Sequence, residues 1–253
     1  MEKVEFLPVL LASDINVYSM ARAFHEEYGI KSLVVARSSS NIIANSKILV
    51  YRERAGLDKT EVFLKEMNEI YKKYGKTKKL ILIGCADHYV RLIVENKAEL
   101  KDKFILPYTD KEVLDNIVLK ETFYELCEKY NLDYAKTFIY KPEMNFEFDL
   151  KDMLFPVVLK ASDSVKFHRN KFEGFHKAYF IDTKEELVDT LKLIYKNGYD
   201  DNMIIQEKVP GEDAAMYDLQ IYVGSDHKVK MMNLGNVVLE EHTPTAIGNN
   251  AAT

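Results

Sequence analysis

Lys120 and Lys160 are the first residues whose chemistry suggests a ligand. Lys160 ends the apolar run Pro156–Leu159 and precedes small and polar residues. A lysine ammonium is a compact positive charge with three donors, which suits the oxygens of a polyphosphate. Each lysine alone has a structural explanation, because a strand-end lysine extends to solvent and a helix lysine faces water. The order of these lysines with other motifs is therefore what favours a ligand site.

The segment Met203–Met216, "MIIQEKVPGEDAAM", places polar residues after an apolar strand. The strand runs into Gln206 and Glu207, and a Pro-Gly turn then leads to Glu212 and Asp213. If the strand end is an unpaired edge, a carbonyl and an amide two residues later can pair with an adenine. A carboxylate after the turn can bind ribose hydroxyls. The structural alternative is a strand closed by a turn, with the acids in water.

A second candidate site follows the first apolar strand, where Ser13, Asp14 and Asn16 begin a helix. Ligands of open α/β sheets bind at such strand ends. The turn contains no glycine, so the GxGxxG cradle of a dinucleotide site is absent. The alternative is that Ser13 or Asp14 only caps the helix.

The first hundred residues alternate strands and helices, which predicts a parallel sheet covered on both faces. The predicted elements are strands at 6–12, 31–37 and 79–84 and helices at 13–29 and 58–75. From residue 109 onward the order changes and predicts an antiparallel sheet with helices on one face. Its predicted elements are one long helix at 109–132, a strand at 155–164, a polar loop at 162–176, a helix capped by Thr183, a strand at 203–209 and a hairpin around 224–226.

Composition narrows the class of protein. The chain has 253 residues, a net charge of -5 and 47% hydrophobic residues, so it can bury a sizeable core. The charge argues against a non-specific nucleic-acid binder. No apolar run approaches the roughly 18 residues of a membrane span. Cys85 and Cys127 are expected to be reduced thiols, and we expect a soluble cytoplasmic protein.

The chain resembles the ATP-grasp ligases, and in particular their bacterial carboxylate–amine ligase branch, which includes D-aspartate ligases. The resemblance is carried by five stretches: "LLASDINVYSMARAFHEEYGIKS", "LKETFYELC", "FPVVLKASDS", "IIQEKVPGEDAAM" and "LEEHTPTAIGN". It implies a fold of class α/β, with a Rossmann-like pre-ATP-grasp domain at 1–108 and an incomplete ATP-grasp domain (α+β) at 109–253.

The resemblance also implies roles for individual residues. Lys120 and Lys160 would bind ATP phosphates, and Gln206 would lie beside the adenine amine. The carbonyl of Glu207 and the amide of Val209 would pair with the adenine, and Asp213 would hold the ribose. The region of Ser13, Asp14 and Asn16 would contribute to the pocket of the carboxylate substrate.

The implied reaction uses ATP and Mg²⁺ to phosphorylate a small carboxylate, for which an amino acid is one candidate, and an amine then forms the amide. Two features depart from the family: the loop over the phosphates has only Gly174, and the acidic metal ligands are expected beyond Thr253. No catalytic residue or metal ligand is therefore assigned, and we expect the chain alone to be inactive.

Several alternatives remain open. The enzyme alternative is a D-aspartate ligase acting on a cell-wall peptide precursor. The chain could instead be a non-catalytic nucleotide-binding module or an α/β domain without a nucleotide. A homodimer is also an open alternative.

Overall fold

The structure, a computed structural model, describes residues 5–243 and 250–252. It separates into two units, Met1–Leu114 and Asp115–Thr253, and each is described by itself. The predicted domain boundary between residues 108 and 109 stays a prediction.

Four parallel strands form the sheet of the first unit, in the order β3-β2-β1-β4. The strands are β1 (Phe6–Leu11), β2 (Ser32–Ala36), β3 (Leu49–Glu53) and β4 (Lys79–Gly84). All five residues of β2 are buried, as expected for a strand that helices cover on both faces. From β1 the chain moves to β2 and β3 on one side and then to β4 on the other. The carboxyl ends of β1 and β4 therefore meet at a topological switch point.

The helices of the first unit differ in their caps, and one of them begins with a predicted side-chain cap. They are α1 (Ile15–Tyr28), α2 (Asn41–Ala44), α3 (Thr60–Tyr74), α4 (Asp87–Glu95) and α5 (Lys97–Leu100), and α6 (Lys111–Val118) begins at the end of the unit. Asp14 is the N-cap of α1, and its side chain accepts from the amides of Asn16 and Val17. The helix ends at Gly29, whose φ of 63° is left-handed, a conformation that glycine adopts without steric cost.

Two antiparallel sheets make up most of the second unit. One has the order β5-β8-β6-β7 and the other β11-β10-β9. The elements are α7 (Lys120–Tyr130), β5 (Thr137–Tyr140), β6 (Val157–Ala161), α8 (Ser164–Arg169), β7 (Ala178–Ile181), α9 (Lys184–Lys196), β8 (Met203–Glu207), β9 (Tyr217–Val223), β10 (Val229–Glu240) and β11 (Asn250–Ala252). Short 3₁₀ helices lie at Pro142–Met144 and Asp213–Ala215.

The predicted fold class is confirmed, and the differences are local. The predicted single helix at 109–132 is two helices, because Leu119 leaves the helical conformation with a ψ of 123°. The hydroxyl of Thr122 donates to the carbonyls of Asn116 and Leu119, so it satisfies helix-end acceptors at the break. The polar loop at 162–176 contains α8, and β3 and β5 were not predicted.

Among the described residues, none of the helices combines the length and the apolar composition that a membrane span requires.

A buried carboxylate joins α3 to β3 in the first unit. Glu66 is fully buried and contacts Arg54, and its Oε1 lies 2.7 Å from Arg52 Nε. The Arg52 contact is an ion pair of poor hydrogen-bond angle, since that oxygen has no aligned donor. Glu69, which is 40% exposed at its side chain, lies 2.7 and 2.8 Å from the same two arginines. The charges of Arg52 and Arg54 thus compensate the buried carboxylate of Glu66.

Glu66→Gln is expected to lower the free energy of unfolding by about 3 kcal/mol, because it leaves two arginines without their buried counter-charge. Glu69→Gln is the matched control and should cost less than about 1 kcal/mol, since its carboxylate is partly solvated. Urea unfolding of both variants measures the difference. Equal losses would show that burial of Glu66 adds nothing.

Candidate functional site

Lys160 and Gln206 meet on one face of the sheet β5-β8-β6-β7. Along β6 the buried residues alternate with Val158 and Lys160, which point to the other face. The register pairs Val158 with Gln206 across the antiparallel ladder. The Lys160 ammonium donates to Gln206 Oε1 over 2.8 Å. The structure therefore joins two of the residues predicted to bind the nucleotide.

The carboxamide of Gln206 is held by three further partners. Its Nε2 donates to Thr137 Oγ1 at 2.7 Å, to the Tyr124 hydroxyl at 3.0 Å and to the Ala135 carbonyl at 3.3 Å. These acceptors fix the amide nitrogen on one side, so its oxygen faces Lys160. Gln206 thereby orients the ammonium of the candidate phosphate ligand.

Lys120 is the first residue of α7, whereas the sequence placed it in the middle of a helix. Burial and the nearby charge of Lys160 lower the pKa of Lys120 to about 8, with a smaller effect of Lys177 in the same direction, and Asp163 opposes them. Burial also lowers the pKa of Lys160. Partly desolvated ammonium groups close to each other repel, and a polyanion between them would remove that repulsion.

Strand β8 is an inner strand that is paired on both sides up to its end, so the expectation of an unpaired edge there is wrong. The ladder pairs β8 with both β5 and β6, and the Glu207 amide donates to the Lys136 carbonyl at 2.9 Å. The chain leaves the sheet only after Lys208, whose amide donates to the Pro156 carbonyl. Val209 is 69% exposed, and no group in residues 5–243 or 250–252 accepts from its amide.

The Glu207 side chain has a structural contact of its own. Its Oε1 accepts from the Leu154 amide at 2.8 Å. This bond anchors the loop before β6 to the end of β8. The side chain is thus engaged by the protein, and only the backbone of Glu207 remains a candidate adenine contact.

Asp213 begins the 3₁₀ helix Asp213–Ala215, and its side chain is 45% exposed. Its Oδ2 lies 2.7 Å from His242 Nε2. The hydrogen bond and the charge of Asp213 raise the pKa of His242, and Glu240 and Glu241 act in the same direction. The depression beside this pair is lined by Glu212, Asp213, Ala214, Asn236, Val237 and Val238.

The residues at the end of β1 form a separate site in the first unit. Asp14 caps α1, as described above, and the carbonyl of Ser13 accepts from the Ser40 hydroxyl. Asn16 is exposed on the first turn of the helix. The capping explanation thus holds for the Asp14 side chain, and a substrate role would be additional.

Two further polar residues follow β4, beside the end of β1. Burial raises the pKa of the Cys85 thiol to about 12, and Asp14 adds to the shift. Burial lowers the pKa of His88, while Asp58 and Asp87 oppose this effect and Arg37 reinforces it. The thiol is protonated and therefore a poor nucleophile at neutral pH.

Sequence reasoning missed Tyr124, Thr137 and His242. Tyr124 lies four residues after Lys120, a spacing that places both on one helix face and could have identified it. Thr137 and His242 reach the site through strand register and a contact across 29 residues, for which a single sequence offers no signal.

No family model matches the chain. The chain is 43% identical over 253 residues to D-aspartate ligase from Enterococcus faecium. The alignment covers 98% of this chain, which spans about 60% of the length of that relative.

Solved structures share the fold at low identity. L-amino acid ligase from Bacillus licheniformis matches with a TM-score of 0.65 at 11% identity, over 99% of this chain and 55% of that one. An ADP complex of N5-carboxyaminoimidazole ribonucleotide synthetase matches with a TM-score of 0.62 at 12% identity, over 96% and 58%. The biotin carboxylase domain of Hydrogenobacter thermophilus 2-oxoglutarate carboxylase, solved with MgADP, ADP and bicarbonate, matches with a TM-score of 0.63 at 13% identity, over 96% and 52%.

The chain has the fold of the ATP-grasp superfamily. It is a homologue of D-aspartate ligase over the length that the two proteins share, and the predicted resemblance is confirmed at that level.

The lowered pKa of Lys120 predicts a pH dependence of stability. The charged form is disfavoured in the folded state, and this cost is fully present below a pKa of about 8. It disappears as the pH rises toward the ordinary pKa of 10.5, because the unfolded chain then binds more protons than the folded chain. Between pH 8 and 10.5 the wild type should therefore gain stability relative to Lys120→Met.

Urea unfolding at several pH values checks this expectation. Lys192→Met, which removes an exposed lysine of α9, is the control, and its difference from wild type should stay constant. A constant difference for Lys120→Met as well would show that Lys120 is solvated like any surface lysine.

Proposed function

We propose that the chain is the nucleotide-binding part of an ATP-dependent ligase that joins a carboxylate to an amine. The observation that carries the proposal is the pair of half-buried lysines, one of them oriented by Gln206. The fold and the 43% identity to D-aspartate ligase support it. The ligands named for the fold relatives, ADP and MgADP, suggest which polyphosphate the lysines meet.

In the proposed site, Lys120 and Lys160 bind the phosphates. The end of β8 and the exposed segment after it provide the adenine contacts, through the Glu207 carbonyl and the Val209 amide. Asp213 is the proposed ribose ligand. Gln206 acts mainly by orienting Lys160, since its own amide nitrogen is already occupied by protein acceptors.

The proposed reaction has two steps. A carboxylate oxygen bonds to the γ-phosphorus while the bond to the ADP oxygen breaks, and the acylphosphate forms. The amine nitrogen then bonds to the acyl carbon, phosphate leaves, and the amine loses a proton. Lysines that neutralise charge on the transferred group would contribute to the first step, because such chemistry depends on positioning and electrostatics.

No magnesium ligand is assigned among the described residues. Within 5–243 and 250–252, no group of three or more His, Cys, Asp or Glu side chains could hold a metal ion. We derive no step through Mg²⁺, and its expected ligands beyond Thr253 stay a prediction. That this chain alone lacks activity also stays a prediction.

The identity to D-aspartate ligase favours D-aspartate as the carboxylate. The resemblance described above suggests an amine of a cell-wall peptide precursor as the acceptor. We propose Ser13, Asp14 and Asn16 as part of the carboxylate substrate's pocket, at the switch point of the first sheet. There the Asp14 carboxylate would attract the substrate ammonium. A non-catalytic nucleotide-binding module is the second candidate.

Two properties remain predictions within this proposal. Cys85 and Cys127 are free, which agrees with a cytoplasmic location. The biotin carboxylase domain in the comparison is a dimer. That this chain also forms a homodimer stays a prediction.

Calorimetric titration with ATP tests the phosphate site. Lys160→Ala should lower the affinity about 10- to 100-fold, because a charge-assisted contact to phosphate is lost. Lys192→Ala, at an exposed position of α9, is the control and should bind ATP as the wild type does. Equal ATP affinities for wild type and Lys160→Ala would contradict a phosphate-binding role of Lys160. No ATP binding by the wild type would overturn the proposed nucleotide site in this chain.

Asp14 variants separate helix capping from substrate binding. Asp14→Asn keeps a good N-cap, so its melting temperature should be unchanged while its affinity for D-aspartate falls about tenfold with the lost charge. Asp14→Ala should lose affinity and also about 1 kcal/mol of stability. Calorimetry with D-aspartate and thermal unfolding measure both effects. Unchanged affinity of Asp14→Asn for D-aspartate would show that Asp14 caps the helix and does not contribute to substrate binding.

A further inference from the structure

The contact between His242 and Asp213 joins segments that are 29 residues apart. His242 Nε2 and Asp213 Oδ2 are 2.7 Å apart, with side chains 66% and 45% exposed. An ionised carboxylate has no proton to give, so Nε2 must carry the hydrogen and donate it. A single exposed hydrogen bond of this kind adds little to stability, which raises the question of what it orients.

The 3₁₀ helix Asp213–Ala215 does not need the Asp213 carboxylate for its own structure. Its turn is closed by backbone bonds, from the Ala215 amide to the Glu212 carbonyl and from the Met216 amide to the Asp213 carbonyl. It is fastened to β10 by Asn236 Nδ2, which donates to the Ala214 carbonyl at 3.3 Å. The backbone is thus fixed, while the Asp213 side chain is directed by His242.

The second oxygen of the Asp213 carboxylate remains available. Oδ1 has no hydrogen-bond donor among residues 5–243 and 250–252. The carboxylate borders the depression lined by 212–214 and 236–238, and the exposed Val209 segment lies just before it in the chain. A carboxylate with one oxygen fixed and the other free accepts from neighbouring hydroxyls without first losing rotamer freedom.

We propose that His242 is a positioning residue, which acts through Asp213 to set the affinity of the site for the ribose hydroxyls of a nucleotide. This inference rests on the proposed function, because it requires Asp213 to meet a ribose. Within the described ranges, the hydrogen-bond partner of the His242 side chain is the Asp213 carboxylate, and the proposal gives His242 no contact with the phosphates or the base.

Charge makes the contact depend on pH. His242 faces Asp213 from the 3₁₀ helix and Glu240 and Glu241 from its own segment, and Glu212 precedes Asp213 in the chain. All four groups are acids, so they favour the imidazolium. The ion pair is fully present below the ordinary pKa of histidine and is lost as the pH rises through its raised value. The positioning effect should therefore be stronger at pH 6 than at pH 8.5.

The test compares ATP with 2′,3′-dideoxy-ATP, which lacks both ribose hydroxyls, by calorimetry on the 253-residue chain. His242→Ala should weaken ATP binding about three- to tenfold at pH 6, as expected for one hydrogen bond, and leave dideoxy-ATP unchanged. His242→Gln keeps a neutral donor, so it should recover most of the affinity and lose the pH dependence. Asp213→Ala should remove any further effect of His242→Ala, since the two residues act as one unit.

The ratio of wild-type to His242→Ala affinity removes the effect of a second titrating group. Lys120, with a pKa of about 8, loses charge at high pH in both proteins, and its effect cancels. His227→Asn is the matched control on the β9–β10 turn: His227 has a φ of 59°, which asparagine tolerates. This variant should bind both nucleotides as the wild type does.

Each outcome has a meaning. Equal losses of ATP and dideoxy-ATP affinity in His242→Ala would make His242 a general positive charge and overturn the proposal. Unchanged ATP affinity would also overturn it. If the wild type binds neither nucleotide, the proposed function itself fails. Binding of both nucleotides with no difference between variants leaves that function intact and removes only the role of His242.

Discussion

Crowding of two lysine ammonium groups in a partly desolvated space is the constraint on which the second unit depends. Burial disfavours the charged form of each, and the charge of Lys160 adds to the cost at Lys120. The folded chain tolerates this arrangement through an oriented acceptor, Gln206 Oε1. The Tyr124 ring also lies 5.9 Å from the Lys160 ammonium, within cation–π range. In the proposed function, this loss of stability is the cost of a site that can bind an anion.

The two faces of the sheet β5-β8-β6-β7 have different surroundings. One packs into the hydrophobic core, and the other carries the proposed binding residues. One face packs Leu159 and Ile205 into a core with β5 and with Leu191 of α9. The other carries Lys160, Gln206 and Thr137 toward α7. Because neighbouring residues of a strand alternate between faces, a shift of one residue would move the ligands into the core. The inner position of β8 prevents such a shift, as the strand is paired on both sides.

The first unit uses a different principle, in which backbone geometry places polar residues and core packing holds them. Parallel strands with reversed chain order bring the ends of β1 and β4 together, and the Asp14 cap fixes where α1 begins. Gly84 contributes because a Cβ there would lie 2.8 Å from the Val90 nitrogen. That close approach allows α4 to start directly behind β4. The ion pairs of Glu66 and Glu69 with Arg52 connect α3 to β3 of the same sheet.

Much of the fold was determined by the sequence itself, because local signals and burial agree. Apolar runs separated by helical periodicity marked β1, β2 and β4, and Asp14 and Gly29 marked the ends of α1. Thr183 likewise capped α9 as its spacing to Glu186 predicts. The mixed pattern of β3, "LVYRE", and the four residues of β5 carried too little periodicity to be recognised.

What only the tertiary structure decided is which polar groups meet. The sequence alone placed Lys120, Lys160 and Gln206 in an order along the chain, but their distances follow from strand register and from the helix break at Leu119. The inner position of β8, the Thr137 contact and the His242–Asp213 bond join residues that are far apart in sequence. Such contacts depend on global packing, and a local pattern contains no information about them.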